Sequence, residues 1–111
     1  EFGAFGIGDE RFVDDVYSRL NYPALVDDFT ARGLGLRIFI AVGDDEYKHP
    51  DPADAVHDLD LEAHLLFNRL ARVPGITADL RVLDGGHGWD VWTPAFVEGM
   101  RLLGPRLRRP E

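Results

Sequence analysis

The stretch from Leu36 to Val42 reads Leu-Arg-Ile-Phe-Ile-Ala-Val. After Arg37 it is apolar on both alternating faces and rich in branched side chains, the pattern of a strand covered on both sides. Such a strand needs neighbours. The next segment with strand character, Thr77 to Leu83, alternates Ala78, Leu80 and Val82 with Asp79 and Arg81, which suits an edge position with one wet face. Between the two, Leu59, Ala63, Leu66, Phe67, Leu70 and Ala71 fall at helical spacing and predict a helix from about Asp58 to Arg72, closed by Pro74-Gly75. Strand, helix, strand is the order of a parallel crossover, and parallel sheets are stable when several strands are covered on both faces. Only two strands are predicted here. The expected architecture is therefore α/β and incomplete: two parallel strands, at about 36–42 and 77–83, with flanking helices. The sheet would be completed by residues outside this sequence or by another copy in a homo-oligomer.

The remaining segments read as helices and loops. Phe12, Val13, Val16, Tyr17 and Leu20 predict a helix over Asp9–Leu20, with Asp9 and Glu10 suited to the positive end of its dipole. A second helix, roughly Pro23 to Arg32, places Leu25 and Phe29 on one face and stops at Gly33. Thr93 and Pro94 have the character of an N-cap and a first helical residue. They open a helix bearing Phe96, Val97, Met100 and Leu103 that Gly104-Pro105 closes. Gly3, Gly6 and Gly8 form a Gly-x-x-Gly-x-Gly run with no strand before it and in the wrong order for a dinucleotide loop, so it reads as a lead-in. At 111 residues the chain is expected to be a single partial domain.

Composition removes several classes of function. A formal net charge of -8 repels nucleic acid and anionic membrane surfaces, and the arginines of the tail, Arg101, Arg106, Arg108 and Arg109, are too few to reverse it. No apolar run reaches the roughly 18 to 20 residues that span a bilayer. The chain has no Cys, which excludes disulfides, thiolate metal sites and a Cys nucleophile. His57, Asp60 and His64 share one helix face at spacing that could hold a divalent metal, but a solvated face is the expectation, and neither a metal nor a cofactor is predicted. His49, beside Pro50, has no evident partner.

What chemistry the chain carries is concentrated in two loops. Asp84-Gly85-Gly86 ends the second strand, so His87 sits in a short strand-to-helix connection, and Gly43-Asp44-Asp45-Glu46 follows the first strand. In open α/β sheets, sites form outside the carboxyl ends of the strands. Two parallel strands would bring the acidic cluster and His87 to the same edge. A His near neutrality can take and give a proton, and a carboxylate can orient it and stabilise its charged form. Acid before base is also the chain order of the last two members of an α/β-hydrolase triad. A nucleophile is absent from this pattern: the only serine, Ser18, lies within a predicted helix without a Gly-x-Ser-x-Gly turn, and Thr30, Thr77 and Thr93 are not on strand-to-helix elbows.

The segment from about Leu36 to Leu103, with Ile-Phe-Ile-Ala-Val-Gly-Asp-Asp-Glu and Asp-Gly-Gly-His-Gly-Trp-Asp-Val-Trp, resembles the C-terminal half of an esterase family of α/β-hydrolases. That family includes feruloyl esterases, enterochelin-type siderophore esterases and mycolyltransferases. Its members carry Gly-Gly-His-Asp followed by an aromatic residue and Trp; this chain has Gly88 where Asp is usual and retains His87. The resemblance implies that His87 is the general base of a serine esterase acting through an acyl-enzyme. It also implies that Glu46, in a Gly-x-x-Glu setting after Gly43, is the orienting carboxylate, with Asp45 the runner-up by a one-residue slip. Trp89 and Trp92 would fix the loop and line the wall of a site for a small-molecule ester, or else simply pack against the last helix. Because no serine elbow is present, the chain alone is expected to lack triad activity. The rival expectation is a non-catalytic α/β module that self-assembles through its sheet edge, with His87 structural.

Overall fold

The structure is a computed structural model that describes residues 13–48 and 58–107. The lead-in glycines, residues 9–12 of the first predicted helix, His49, Pro50, Pro52, His57, Arg108 and Arg109 lie outside the described residues. The chain divides into two compact units, Glu1–Leu34 and Gly35–Glu111.

In the first unit, helix α1 (Asp14–Leu20) carries Asp14 and Asp15 in its first turn and Arg19 in its last, the arrangement that suits the dipole at each end. Asn21 ends it with an extended backbone. Helix α2 (Tyr22–Ala31) follows directly with Pro23 in its first turn, where a missing N–H costs nothing. Arg32 caps it, and Gly33 adopts the left-handed conformation at φ 62°, which only a residue without Cβ enters freely. Val16 is buried, whereas Leu20 and Leu25 are exposed, so the expected inward face of Leu25 and Phe29 is only half realised.

The second unit is built on two parallel strands, β1 (Leu36–Gly43) and β2 (Ile76–Leu83), paired in register from Leu36 opposite Ile76 to Gly43 opposite Leu83. Helix α3 (Leu59–Leu70) makes the crossover and lies along both strands. Its N-cap Asp58 accepts a hydrogen bond from the Leu61 N–H at 3.1 Å, and Leu70 is buried. Helix α4 (Trp89–Leu103) follows β2 and packs mainly over β1, and a single 3₁₀ turn, Gly104–Arg106, ends it. The α/β class and the two parallel strands with flanking helices are as the sequence pattern predicts.

Two expectations need correction. First, β1 is not buried on both sides: Arg37 to Ala41 are half-buried and only Val42 and Gly43 are buried, because no strand among the described residues pairs with its second edge. On β2 the expected inward Val82 is exposed. Second, α4 starts at Trp89, not at Thr93. The Gly88 carbonyl accepts from the Val91 N–H at 3.1 Å and the Trp92 N–H at 2.9 Å, closing the first turn early. Pro94 then sits inside the helix and forgoes only its bond to the carbonyl of the exposed Asp90. The buried stripe of α4, which the sequence reading did not assign, is Val91, Ala95 and Gly99, while Phe96, Val97 and Met100 are exposed. The cause is close approach: a Cβ at Gly99 would lie 2.9 Å from Cδ1 of Phe39, so the helix can rest on that ring only along its small residues.

Candidate active site

The loops leaving the carboxyl ends of β1 and β2 are tied together by backbone. The Asp44 N–H donates to the Leu83 carbonyl at 2.9 Å and the Asp45 N–H to the Gly85 carbonyl at 2.8 Å, which carries the strand ladder past the end of the sheet. In return, the Gly85 N–H donates to Oδ1 of Asp44 at 3.0 Å. This crossing needs glycine on both sides. A Cβ on Gly43 would meet the Gly85 carbonyl oxygen at 2.2 Å, and Gly85 has φ 137°, a backbone conformation that side chains disfavour. Asp44 thus clamps the two loops together. The Gly43-Asp44 and Gly85-Gly86 pairs after two aligned strands were the signal for such a crossing.

The clamp sets the positions of the acid and the base. After Asp45 the chain makes a single 3₁₀ turn, Glu46–Lys48, closed by the Lys48 N–H donating to the Asp45 carbonyl at 2.9 Å. This turn directs Glu46 inward, and its side chain is 5% exposed. Its Oε2 lies 2.9 Å from Nδ1 of His87. Burying a carboxylate is costly unless it is hydrogen-bonded, and His87 supplies the bond. Of the two acidic candidates, the one that meets His87 is Glu46. Asp45 instead pairs with Lys48, its Oδ1 2.6 Å from Nζ. The Lys48 ammonium is held above its ordinary pKa, first by that bond to Asp45 and then by one from Tyr47.

The two tryptophans complete the loop. Trp92 stands edge-on to the His87 ring, centroids 4.8 Å apart and planes at 88°, and Trp89 meets Trp92 in the same manner at 5.2 Å. Trp92 therefore braces the imidazole, while Trp89 is 75% exposed beside it. Both residues lie within α4 itself, so the alternative in which they pack against the last helix from outside does not hold, and Trp92 packs on the His87 ring instead. Of the third sequence cluster, His64 and Asp60 meet, with Nδ1 of His64 3.1 Å from Oδ1 of Asp60, and His57 lies outside the described residues. His64 Nδ1 bonds the Asp60 carbonyl at 2.9 Å one turn earlier, and no group of three metal-ligating side chains exists among the described residues.

Chemically, the pair is an imidazole oriented by a buried carboxylate. With Nδ1–H donating to Oε2, the neutral ring carries its lone pair on Nε2, the atom that can accept a proton. A carboxylate at 2.9 Å then stabilises the imidazolium that results. Ser18 is an exposed residue within α1, and Thr77 and Thr93 lie within β2 and α4, so none of these hydroxyls stands on a strand-to-helix turn. No described helix is long and apolar enough to cross a membrane. Comparison with protein-family models, curated proteins and solved structures finds no match.

Proposed function

We propose that this chain is the acid-and-base part of a serine carboxylic ester hydrolase of the α/β-hydrolase type. The observation that carries the reading is the 2.9 Å bond from His87 Nδ1 to the buried Glu46 Oε2, at the carboxyl edge of two parallel strands. His87 takes the proton of a serine hydroxyl as its oxygen bonds to the ester carbonyl carbon, and returns that proton to the departing alkoxide. The acyl-enzyme left behind is cleared by water, whose proton passes through the same imidazole before the carboxylic acid is released. Glu46 holds the ring in the required tautomer throughout. No cofactor is needed for these steps, and the substrate is a small-molecule ester. The serine and the amides that would stabilise the oxyanion belong to a Gly-x-Ser-x-Gly segment that the reading places outside these 111 residues.

The test is direct. A polypeptide joining this chain to such a segment encoded upstream should hydrolyse p-nitrophenyl esters with a burst of one equivalent, and the 111-residue chain alone should not. His87→Ala should abolish nearly all turnover of the joined protein; turnover unchanged in that variant would sink the proposal. One observation favours the rival reading, a non-catalytic module: the second edge of β1 is unpaired among the described residues.

A further inference from the structure

Residues 85–88 carry His87 from the end of β2 to the first turn of α4, and a glycine stands at each end of this stretch. The two are glycines for different reasons. Gly85 has φ 137°, so a side chain there is strained whatever space it finds. Gly88, the N-cap of α4, has φ -154° and ψ 172°, extended backbone that any residue adopts. What keeps a side chain out at 88 is space. A Cβ there would lie 2.5 Å from Oδ1 and 3.7 Å from Cγ of Asp90, and among the described residues nothing else beyond its chain neighbours comes within 4 Å.

Asp90, the second residue of α4, therefore folds its carboxylate back over the residue that precedes the helix. Its other oxygen, Oδ2, lies 3.3 Å from where a Cβ on Gly85 would be, next to Cγ2 of Val91 at 2.6 Å from the same point. One carboxylate thus rests on both ends of the stretch that holds His87. A negative side chain in the first turn suits the positive end of the α4 dipole, and no side-chain cap at Gly88 competes for the place. Asp is usual at position 88 in the esterase pattern that the sequence resembles; here a carboxylate fills that room from two residues further on.

We propose that Asp90 is a positioning residue for His87: its carboxylate occupies the room left at Gly88 and fixes residues 85–88 so that the imidazole meets Glu46. The stretch is gripped from two sides. On the sheet side, Asp44 accepts from the Gly85 N–H at 3.0 Å and the Asp45 N–H donates to the Gly85 carbonyl at 2.8 Å. On the helix side, Asp90 and Val91 close on the same glycine. Without Asp90 the stretch keeps one backbone bond of its own, from the Gly88 N–H to the Gly86 carbonyl at 3.1 Å. A hydrogen bond weakens steeply with angle, so a small turn of this backbone is enough to loosen Nδ1 of His87 from Oε2 of Glu46. Asp90 acts here through its shape, which Asn shares.

The consequence for turnover rests on the esterase reading, but the seating of the ring does not, and it is measured on the 111-residue chain itself. NMR of ¹⁵N-labelled protein reads the His87 tautomer from its ring nitrogens and the exchange of the Nδ1–H held by Glu46. In Asp90→Ala that proton should exchange about tenfold faster and the ring shifts should move toward the average of the two tautomers, while far-UV spectra show the chain folded. Asp90→Asn should keep the wild-type signature. Gly88→Ala evicts the carboxylate, which can swing aside, and should match Asp90→Ala; it is also the test if Asp90→Ala fails to fold. The two substitutions together place a methyl in the vacated room and should recover most of the protection. A wild-type signature in Asp90→Ala, or losses that add in the double variant, overturns the proposal. A wild-type ring that averages both tautomers overturns it together with the bond to Glu46. In a serine-containing form, Asp90→Ala should lower kcat about tenfold with KM unchanged. Absence of turnover in that form would sink the esterase reading and leave the seating of His87 by Asp90 in place.

Discussion

The same two strands end in different ways. At their carboxyl ends the connecting loops cross, exchange three hydrogen bonds between Asp44, Asp45, Leu83 and Gly85, and close over a buried carboxylate. At their amino ends the strands meet through one such bond, from the Leu36 N–H to the Gly75 carbonyl. There they open onto a hollow of about 450 Å³ bordered by Gly35, Leu36, Arg37, Gly75 and Leu103. The ladder between the ends is uniform, so the difference comes from the loops alone. A polar pair survives burial only where its partners are held in place, and the crossed loops supply that rigidity at one end. Solvent does the equivalent work at the other, where Arg37 and Asp79 are each nearly a quarter exposed.

If the carboxyl end is the working end, the largest effect belongs to Glu46. In a serine-containing form of the protein, Glu46→Gln keeps the shape of the side chain but offers an amide N–H where the ring needs an acceptor, favouring the wrong tautomer. Turnover of p-nitrophenyl esters should fall by roughly 10³ to 10⁴. Asp45→Asn, one residue away and paired with the exposed Lys48, should change it by no more than about threefold. Equal effects at the two positions would show that the 2.9 Å bond to His87 is not what matters.

The next effect is on stability. Gly43→Ala drives a methyl into the Gly85 carbonyl, a backbone atom that cannot swing aside, and should cost about 2–4 kcal/mol by urea unfolding. Asp44→Ala removes only the acceptor for the Gly85 N–H at an exposed position, so about 1 kcal/mol is expected. A Gly43→Ala variant as stable as the parent would mean that the loops can part without loss.

The strands and crossover were legible because periodicity reports which faces are apolar, and both strands and α3 lie within a residue or two of the predicted bounds. That Glu46 and His87 would share an edge followed from parallel pairing. Which acid meets the ring did not, because it depends on the 3₁₀ turn after Asp45, a tertiary consequence of the Gly85 crossing. The start of α4 was misplaced because Thr93-Pro94 carries the local chemistry of an N-terminus, while the actual first turn is closed by the carbonyl of Gly88, a residue with no side-chain cap. Which face of α4 is buried was not legible for a related reason. Hydrophobicity ranks Phe96 and Met100 above Ala95 and Gly99, but contact with the Phe39 ring selects for small size.

The smallest effect is the one of opposite sign. Gly35 precedes the same strand that Gly43 ends, and a Cβ added there meets nothing within 4 Å. Nor does its φ lie in the left-handed range, which among the described residues is reserved to Gly33, Gly75 and Gly85. Ala is therefore compatible with the native backbone at position 35, and its main action is to narrow the conformations open to the unfolded chain. Gly35→Ala should stabilise by about 0.4–1 kcal/mol, read as a rise in the urea midpoint with the slope unchanged. The same substitution at the two ends of β1, just before the strand and at its last residue, thus changes sign. A loss at Gly35 comparable to that at Gly43 would mean that the amino end is as tightly closed as the carboxyl end, and the contrast between them would fall.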